Sequence, residues 1–542
     1  MDGFFNLSLT KASIKSFELD PQLLNSKLLL MENYDIIIIG TGAGGGTLLH
    51  KLKNSGKKIL VLERGKFLPR EKENWNIDAV FKQERYHTTE VWKTEGDKDL
   101  HPGTGYWVGG NTKVYGAALF RLRERDFHEI QHAGGISPEW ILKYQDFEKY
   151  YAEAEKLYNV HGKAGIDPTE APRSSEYPNL PVSHEPRIQE IHDKLIALDH
   201  HPFFLPIGVK LDEKDPLNSP CIRCDTCDGF PCMIHAKADA DINCVRPSLD
   251  DANITLLTEA KVNRLITNES GDKIIAVETD YQGKIMQFKA DIIVLSAGAI
   301  NSAALLLKSA NENHPHGLAN SSDQVGRNFM KHQNAAMLGI STHLNPTKFQ
   351  KTMAMNDFYW GEEDYPFPMG HIQLMGKSQK EMLAGDAPFF TPGLILEEMA
   401  EHSVDWWMTG EDLPAPENRV QVIDNEIHLD YTENNTEGFK RLIDRWEGIL
   451  KKVDGQEHFF APHSLYLRKT IPLQGIAHQC GTLRFGNDPQ TSVLDINCRT
   501  HEVDNLYVVD GSFFPSSGAV NPSLTIMANA LRVGEHLLEI LK

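Results

Sequence analysis

The chain has 542 residues, a formal net charge of -20 and no long run of lysine or arginine. Its length predicts two domains or one domain with a large insertion, and the negative charge argues against nucleic-acid or anionic-membrane partners. The first thirty residues lack a secretory-signal pattern, and no apolar run is long enough to span a bilayer, so we expect a cytoplasmic protein without a transmembrane segment.

The first strong elements form a strand, a glycine-rich turn, a helix and a second strand. The run Tyr34–Gly40 is apolar and rich in isoleucine, which is typical of a strand buried on both faces of a parallel sheet. A helical stretch then extends to about Ser55. Lys58–Glu63 predicts a second buried strand, which completes a βαβ unit.

Gly40, Gly42 and Gly45 form the pattern G-x-G-x-x-G at the end of the first strand. Such glycines allow a tight turn, the approach of a pyrophosphate and close packing of helix on strand, and the phosphates would lie at the helix N-terminus. Glu63 ends the second strand where a carboxylate accepts hydrogen bonds from adenosine ribose hydroxyls. It disfavours NADP but does not separate NAD from FAD, and a turn without a ligand is the alternative.

Further along, residues 254–258 and 290–296 are strand-like, and the second of these leads through a glycine into a helical stretch at 303–310. The pattern of strand, acid and glycine recurs at 505–510, ahead of a predicted helix at 522–542. Three such units at the start, middle and end of the chain predict one sheet assembled from distant segments.

The predicted fold class is α/β, with a discontinuous Rossmann-like domain and a second domain on an antiparallel sheet. The nucleotide-binding domain would comprise 31–331 and 475–542, after an N-terminal extension at 1–30. Between 332 and 474 the composition shifts to aromatics, methionine and alternating polar residues, which predicts a substrate-binding domain.

Three C-terminal motifs carry a family resemblance: Ala477–Thr482, Val508–Ser512 and Gly518–Thr525. With Val108–Thr112 and Gly326–Met330, they make the chain resemble the glucose-methanol-choline (GMC) oxidoreductase family over nearly its whole length from Tyr34 onward. Shorter motifs resemble the bacterial branch related to pyranose oxidases and sugar dehydrogenases; these are Gly110–Gly116, Asn356–Trp360 and Glu411–Pro414.

The resemblance implies FAD as the cofactor, in an extended conformation. Val114 stands where some relatives carry a histidine bonded covalently to the flavin, so we expect noncovalent FAD. A helix that begins near Pro522 would also direct its positive end toward charge on the flavin. The residues expected to bind FAD are Gly40, Gly42, Ala43, Gly44, Gly45, Glu63, Arg64, Gly109, Gly110, Asn111, Val262, Ala297, Gly298, Asp510, Gly511, Pro522, Ser523 and Leu524.

The resemblance also assigns a catalytic pair, His478 and Asn521. An alcohol must lose its hydroxyl proton as hydride leaves carbon, and a neutral imidazole suits that role. Asn521 would orient the same oxygen. The alternative for His478 is a core histidine bonded to a backbone carbonyl.

Four cysteines have the spacing C-x2-C-x2-C-x4-C within the loop 220–237: Cys221, Cys224, Cys227 and Cys232. Thiolates at this spacing could hold zinc or an iron–sulfur cluster. Packed thiols or a local disulfide are the alternatives, and the sequence leaves the choice open.

The predicted function is FAD-dependent oxidation of a CH–OH group of a sugar, polyol or other alcohol. Oxygen or a quinone or protein carrier would reoxidise the flavin, and oxidase versus dehydrogenase stays open, as does the oligomeric state. The alternatives are an FAD protein with non-redox chemistry and a redox-inactive flavin-binding module. Aromatic residues that could line a sugar pocket, or simply form core, are Trp360, Tyr365, Phe367, Trp406 and Trp407.

Overall fold

The computed structural model describes residues 33–386, 391–455, 464–475 and 478–542. The predicted extension at 1–30 lies outside these residues, as does Ala477, which precedes the candidate base.

The strands and α-helices are numbered along the chain. The strands are β1 (Asn33–Ile39), β2 (Ile59–Leu62), β3 (Trp92–Thr94), β4 (Lys98–Leu100), β5 (Ile130–His132), β6 (Gly135–Ser137), β7 (Val160–His161), β8 (Pro202–Phe204), β9 (Ile207–Gly208), β10 (Ile254–Leu257), β11 (Ala260–Thr267), β12 (Ile274–Tyr281), β13 (Lys284–Leu295), β14 (Gln333–Ser341), β15 (Met353–Met355), β16 (His371–Leu374), β17 (Ser403–Gly410), β18 (Arg419–Ile423), β19 (Glu426–Asp430), β20 (Ser464–Thr470) and β21 (Leu506–Val508). The helices are α1 (Ala43–Leu52), α2 (Tyr144–Leu157), α3 (Pro186–Ala197), α4 (Arg246–Ser248), α5 (Ala299–Lys308), α6 (Lys380–Asp386), α7 (Gly393–His402), α8 (Thr436–Val453) and α9 (Ser523–Ile540).

One sheet collects strands from both ends and the middle of the chain. β10, β2, β1, β13 and β21 lie side by side and parallel. The C-terminal half of β13 pairs with β1 and β21, while its N-terminal half continues into an antiparallel meander with β12 and β11. The predicted α/β fold is confirmed, although β13 and α5 both begin earlier than predicted.

The apolar runs explain why these strands lie inside. Every residue of β2 is buried, as are four consecutive isoleucines of β1 from Ile36 to Ile39. α1 and α9 pack against each other over the sheet. Because the strands are parallel, the residues that follow β1, β2, β13 and β21 meet at one edge, which is where open α/β sheets bind ligands.

A second sheet is antiparallel, in the order β20-β14-β17-β16-β15-β8. It agrees with the expected antiparallel sheet, but β8 joins it from outside 332–474, while β18 and β19 join β3 and β4 in a four-stranded sheet. Trp406 of β17 packs edge-on against Trp446 of α8 at 4.6 Å between ring centroids and is part of the core. The domain boundaries themselves stay a prediction. No described helix is long and apolar enough to cross a membrane.

Candidate active site

In the glycine turn after β1, neighbouring backbone packs closely against three of the glycines. A Cβ atom on Gly40 would overlap the carbonyl oxygen of Ser296, and one on Gly44 would overlap that of Val509. A Cβ on Gly45 would overlap the carbonyl oxygen of Gly40, which also has a φ of +96°. These positions need glycine because neighbouring backbone leaves no room for a side chain.

Gly42 differs, because the nearest atom to a Cβ built there is Gly110 Cα at 4.0 Å. Gly42 is the N-cap of α1, with no side-chain cap and no acidic residue in the first turn. Gly298, at the edge of the same sheet, has a φ of +88° and open space within 4 Å of its built Cβ. This open surface with free helix N–H groups fits the pyrophosphate of FAD.

Glu63 is buried and bonded to its own chain. Its carboxylate accepts hydrogen bonds from Thr41 Oγ1 at 2.6 Å, Thr41 N at 3.1 Å and Gly65 N at 2.8 Å. Burial raises the pKa of Glu63, against the lowering effect of these donors. The sequence did not identify Thr41. Its hydroxyl also accepts a hydrogen bond from Gly109 N at 3.0 Å and so joins the glycine turn to the segment that contains the expected FAD residues Gly109, Gly110 and Asn111.

That segment, Gly109–Val114, is held in place by a buried lysine of its own. Lys113 Nζ lies 3.0 Å from both Asp239 Oδ2 and Asp241 Oδ2. Gly109 has a φ of +95°, and Gly110 approaches the turn closely enough that its built Cβ is 3.0 Å from Gly42 Cα. The side-chain oxygen of Asn111 accepts from Thr104 Oγ1 at 2.8 Å.

Asp510 follows β21 and points its carboxylate into the protein. It accepts hydrogen bonds from Gly298 N at 3.0 Å, from Ser512 N at 2.9 Å and from the hydroxyls of Ser302 and Ser512. Burial raises its pKa. Asp510 therefore ties the turn after β13 to the turn after β21.

Gly511 lies where its built Cβ would overlap the carbonyl oxygen of Gln479, next to the candidate base. Pro522 is the N-cap of α9, and Ser523 and Leu524 open its first turn without a side-chain cap. Ala43 is the first residue of α1, while Ala297 follows β13 and donates its N–H to Ser302 Oγ at 3.1 Å.

Two predicted cofactor residues lie toward the far side of this edge. Val262 is half-buried on β11, whose first residue, Ala260, donates its N–H to the carbonyl of Glu63 at 2.9 Å. Arg64 lies over the Tyr106 ring at 3.5 Å and bonds to Glu90. The structure thus brings the predicted FAD residues that follow β1, β2, β13 and β21 to one edge of the sheet, while Val262 lies on the neighbouring strand β11.

His478 and Asn521 lie side by side, with His478 Nε2 and Asn521 Nδ2 separated by 3.4 Å. Asn521 Oδ1 is buried and has no hydrogen-bond partner among the described residues. On its other side, His478 Nδ1 is 2.9 Å from Nδ1 of His332, a fully buried histidine that the sequence did not identify. Burial, followed by His332 and Lys351, lowers the pKa of His478 well below 6.5. The imidazole is therefore neutral at pH 7, as a base must be.

The loop that carries Asn521 is held by side chains from several elements. Trp140 Nε1 donates to Ser516 Oγ at 2.8 Å, and Ala519 N donates to the Tyr359 hydroxyl at 3.0 Å. His332 Nε2 lies 3.2 Å from the Ser517 carbonyl oxygen. These contacts fix the asparagine relative to the histidine.

The cysteine loop packs directly on the segment Gly109–Val114. Gly229 N donates to the Val114 carbonyl at 3.0 Å, and Lys237 Nζ donates to the carbonyls of Cys227 at 2.5 Å and Phe230 at 2.7 Å. Within the described residues, which include all seven cysteines, the structure forms no disulfide and arranges no three metal-ligating side chains to hold an ion. This geometry gives no support to a metal bound by the cysteine loop, a possibility that the sequence left open.

Comparisons with known proteins show which families and chains this sequence and fold resemble. Two family models described as GMC oxidoreductase match residues 34–334 and 418–530. The 6'''-hydroxyparomomycin C oxidase of Streptomyces lividus is 29% identical, covering 92% of this chain and 90% of that protein. The paromamine 6'-oxidase of Streptomyces fradiae is 28% identical, with the same coverage of 92% and 90%. The crystal structure of pyridoxine 4-oxidase from Mesorbium loti superposes with a TM-score of 0.66 at 17% identity, covering 93% of this chain and 99% of that chain.

Proposed function

The chain belongs to the GMC oxidoreductase family, whose members are FAD-dependent and oxidise CH–OH groups, and on that premise we propose that His478 is its general base and Asn521 its orienting residue. The observation that carries the assignment is the pair itself. A neutral imidazole nitrogen and an amide N–H donor lie 3.4 Å apart beside the edge where the FAD residues meet.

Each residue has a definite part in the reaction. Bound FAD supplies the hydride acceptor, N5. The substrate hydroxyl gives its proton to His478 Nε2 while the carbinol carbon loses a hydride, and the C–O bond becomes a carbonyl. Asn521 donates a hydrogen bond from Nδ2 to the same oxygen and keeps the carbinol in line during the transfer. The low pKa of His478 keeps the ring neutral, with one nitrogen able to accept a proton, before the substrate arrives.

We propose a sugar-like alcohol as the substrate, with amino sugars as the first class to test. Two relatives are named as oxidases of aminoglycoside compounds, and a net charge of -20 favours the approach of a cationic amino sugar. The expectations of a cytoplasmic location, of noncovalent FAD and of oxygen or a quinone as the acceptor stay predictions.

The test is anaerobic mixing of the purified holoenzyme with a panel of amino sugars, neutral sugars and simple alcohols, with the oxidised flavin absorbance as the readout. A CH–OH oxidase or dehydrogenase loses that absorbance stoichiometrically with substrate. Reoxidation by added oxygen or by a quinone then separates the two classes. Flavin that dithionite reduces but no alcohol does would contradict the proposal, and flavin that stays with acid-precipitated protein would contradict noncovalent binding.

A further inference from the structure

We propose that His332 fixes the tautomer of His478, so that Nδ1 carries the proton and Nε2 is the basic nitrogen; this rests on the proposed function. His332 is the residue before β14 and lies 146 positions from His478 in the chain. It would act as a positioning residue, because it touches the base and not the substrate.

The assignment follows from two successive hydrogen bonds, one on each nitrogen of His332. A carbonyl oxygen can only accept, so His332 Nε2, at 3.2 Å from the Ser517 carbonyl oxygen, must carry a proton. A neutral imidazole has one N–H, so His332 Nδ1 is an acceptor. The nitrogen that faces it at 2.9 Å, His478 Nδ1, must then be the donor.

The opposite face of His478 agrees with this order. With its one proton on Nδ1, the neutral ring presents a free lone pair at Nε2. The amide nitrogen of Asn521 lies 3.4 Å from Nε2 and can donate to that lone pair until a substrate hydroxyl takes its place. The other tautomer would place two donors face to face at Nε2 and two lone pairs face to face between the histidines.

This tautomer of His478 requires a neutral His332, and the surroundings of His332 favour the neutral form. The side chain is completely buried. Burial lowers its pKa to about 4, against the raising effect of the Ser517 contact. Glu411, whose charge raises the pKa of His332, is engaged by His132, whose Nε2 lies 3.0 Å from Glu411 Oε2.

A purely structural role is the competing explanation, because the contact with Ser517 also anchors the loop of Asn521. Two variants separate these roles. Asparagine at 332 places an amide oxygen near the position of the ring Nδ1, so it keeps the acceptor for His478. Glutamine places its amide near the position of Nε2, so it keeps the donor to Ser517 and loses that acceptor.

The first readout is the rate of anaerobic flavin reduction by the best substrate of the panel, across pH, in holoenzyme of matched FAD content. We expect His332→Gln to slow reduction about 100-fold, the scale of a lost general base. His332→Asn should lose less than about tenfold. Equal rates, or a slower His332→Asn, would assign His332 to loop anchoring and overturn the proposal.

The second readout is independent of turnover. Holoenzyme labelled with ¹⁵N in its histidine rings, compared with the His478→Ala variant, identifies the His478 nitrogens by difference in an NMR spectrum. Protonated Nδ1 with unprotonated Nε2 supports the proposal, and the reverse overturns it. If no alcohol reduces the flavin, the proposed function fails while this spectrum still decides the tautomer.

Discussion

The glycine turn after β1 and the histidine pair beside Asn521 lie in the same site, but different kinds of contact hold them in place. Around the turn, backbone packs against backbone. A single added carbon at Gly44 would overlap the carbonyl oxygen of Val509, the residue after β21. Around His478, side chains from separate parts of the chain meet through hydrogen bonds of 2.9 to 3.4 Å. The first region tolerates no added volume at Gly40, Gly44 and Gly45, whereas the second depends on where protons lie.

The largest effect should come from Gly44→Ala. The new methyl group would overlap the backbone oxygen of Val509, which is held in the sheet and cannot move as a flexible side chain could. We expect almost no soluble, yellow protein, measured as the yield of FAD-loaded monomer or oligomer after gel filtration.

Gly42→Ala is the matched control two residues away. Its methyl group has free space within the protein, but it would occupy the surface proposed for the pyrophosphate. This variant should fold with a normal apoprotein melting temperature and bind FAD about tenfold more weakly, because the close approach is lost. Normal FAD affinity would show that the pyrophosphate lies elsewhere.

The next effect is on chemistry alone. His478→Ala should retain FAD and slow anaerobic flavin reduction about 100-fold, because a positioned base contributes that much. Stopped-flow absorbance measures it, and His428→Ala, in β19 of the four-stranded sheet, is the control that should leave the rate unchanged. A near-normal rate in His478→Ala would remove the base assignment.

Asn521→Ala should cost less, about tenfold in the same reduction rate, because one orienting hydrogen bond supplies only part of the transition-state stabilisation. The same experiment separates binding from catalysis through the dependence of the rate on substrate concentration. A loss in substrate affinity with an unchanged limiting rate would limit Asn521 to binding.

The smallest expected change is with pH. Because the pKa of His478 is lowered well below 6.5, the base is already neutral at pH 7. The reduction rate should therefore stay flat from neutral pH upward and fall only in the acid range, as imidazolium forms. Asn521→Asp should move this acid limb to higher pH, because a nearby carboxylate stabilises imidazolium. A limb centred near pH 7 in the unaltered protein would contradict a desolvated base.

The two regions also differ in how much of them the sequence predicts. The turn, β1, β2 and the acid after β2 follow from a local pattern, because residues within thirty positions of one another make that unit. The partnership of His332 with His478 could not be predicted, because no local spacing links residues 146 positions apart. The motif Gly326–Met330 ends two residues short of His332 and marked the correct neighbourhood. The contacts of Thr41 and Lys113 could not be predicted for the same reason, since their partners come from other parts of the fold.

The position of β21 has a consequence for how the protein folds during its synthesis. β21 pairs with β13, and the chain just beyond it supplies Val509, Asp510, Asn521 and α9. On the ribosome, a chain synthesised only as far as residue 505 has an unpaired β13 edge and an uncovered α1. Such exposed edges promote aggregation. Folding of the cofactor domain must therefore wait until β21 and α9 have been synthesised. A prematurely terminated chain would be a substrate for chaperones and proteases, with no partly active form.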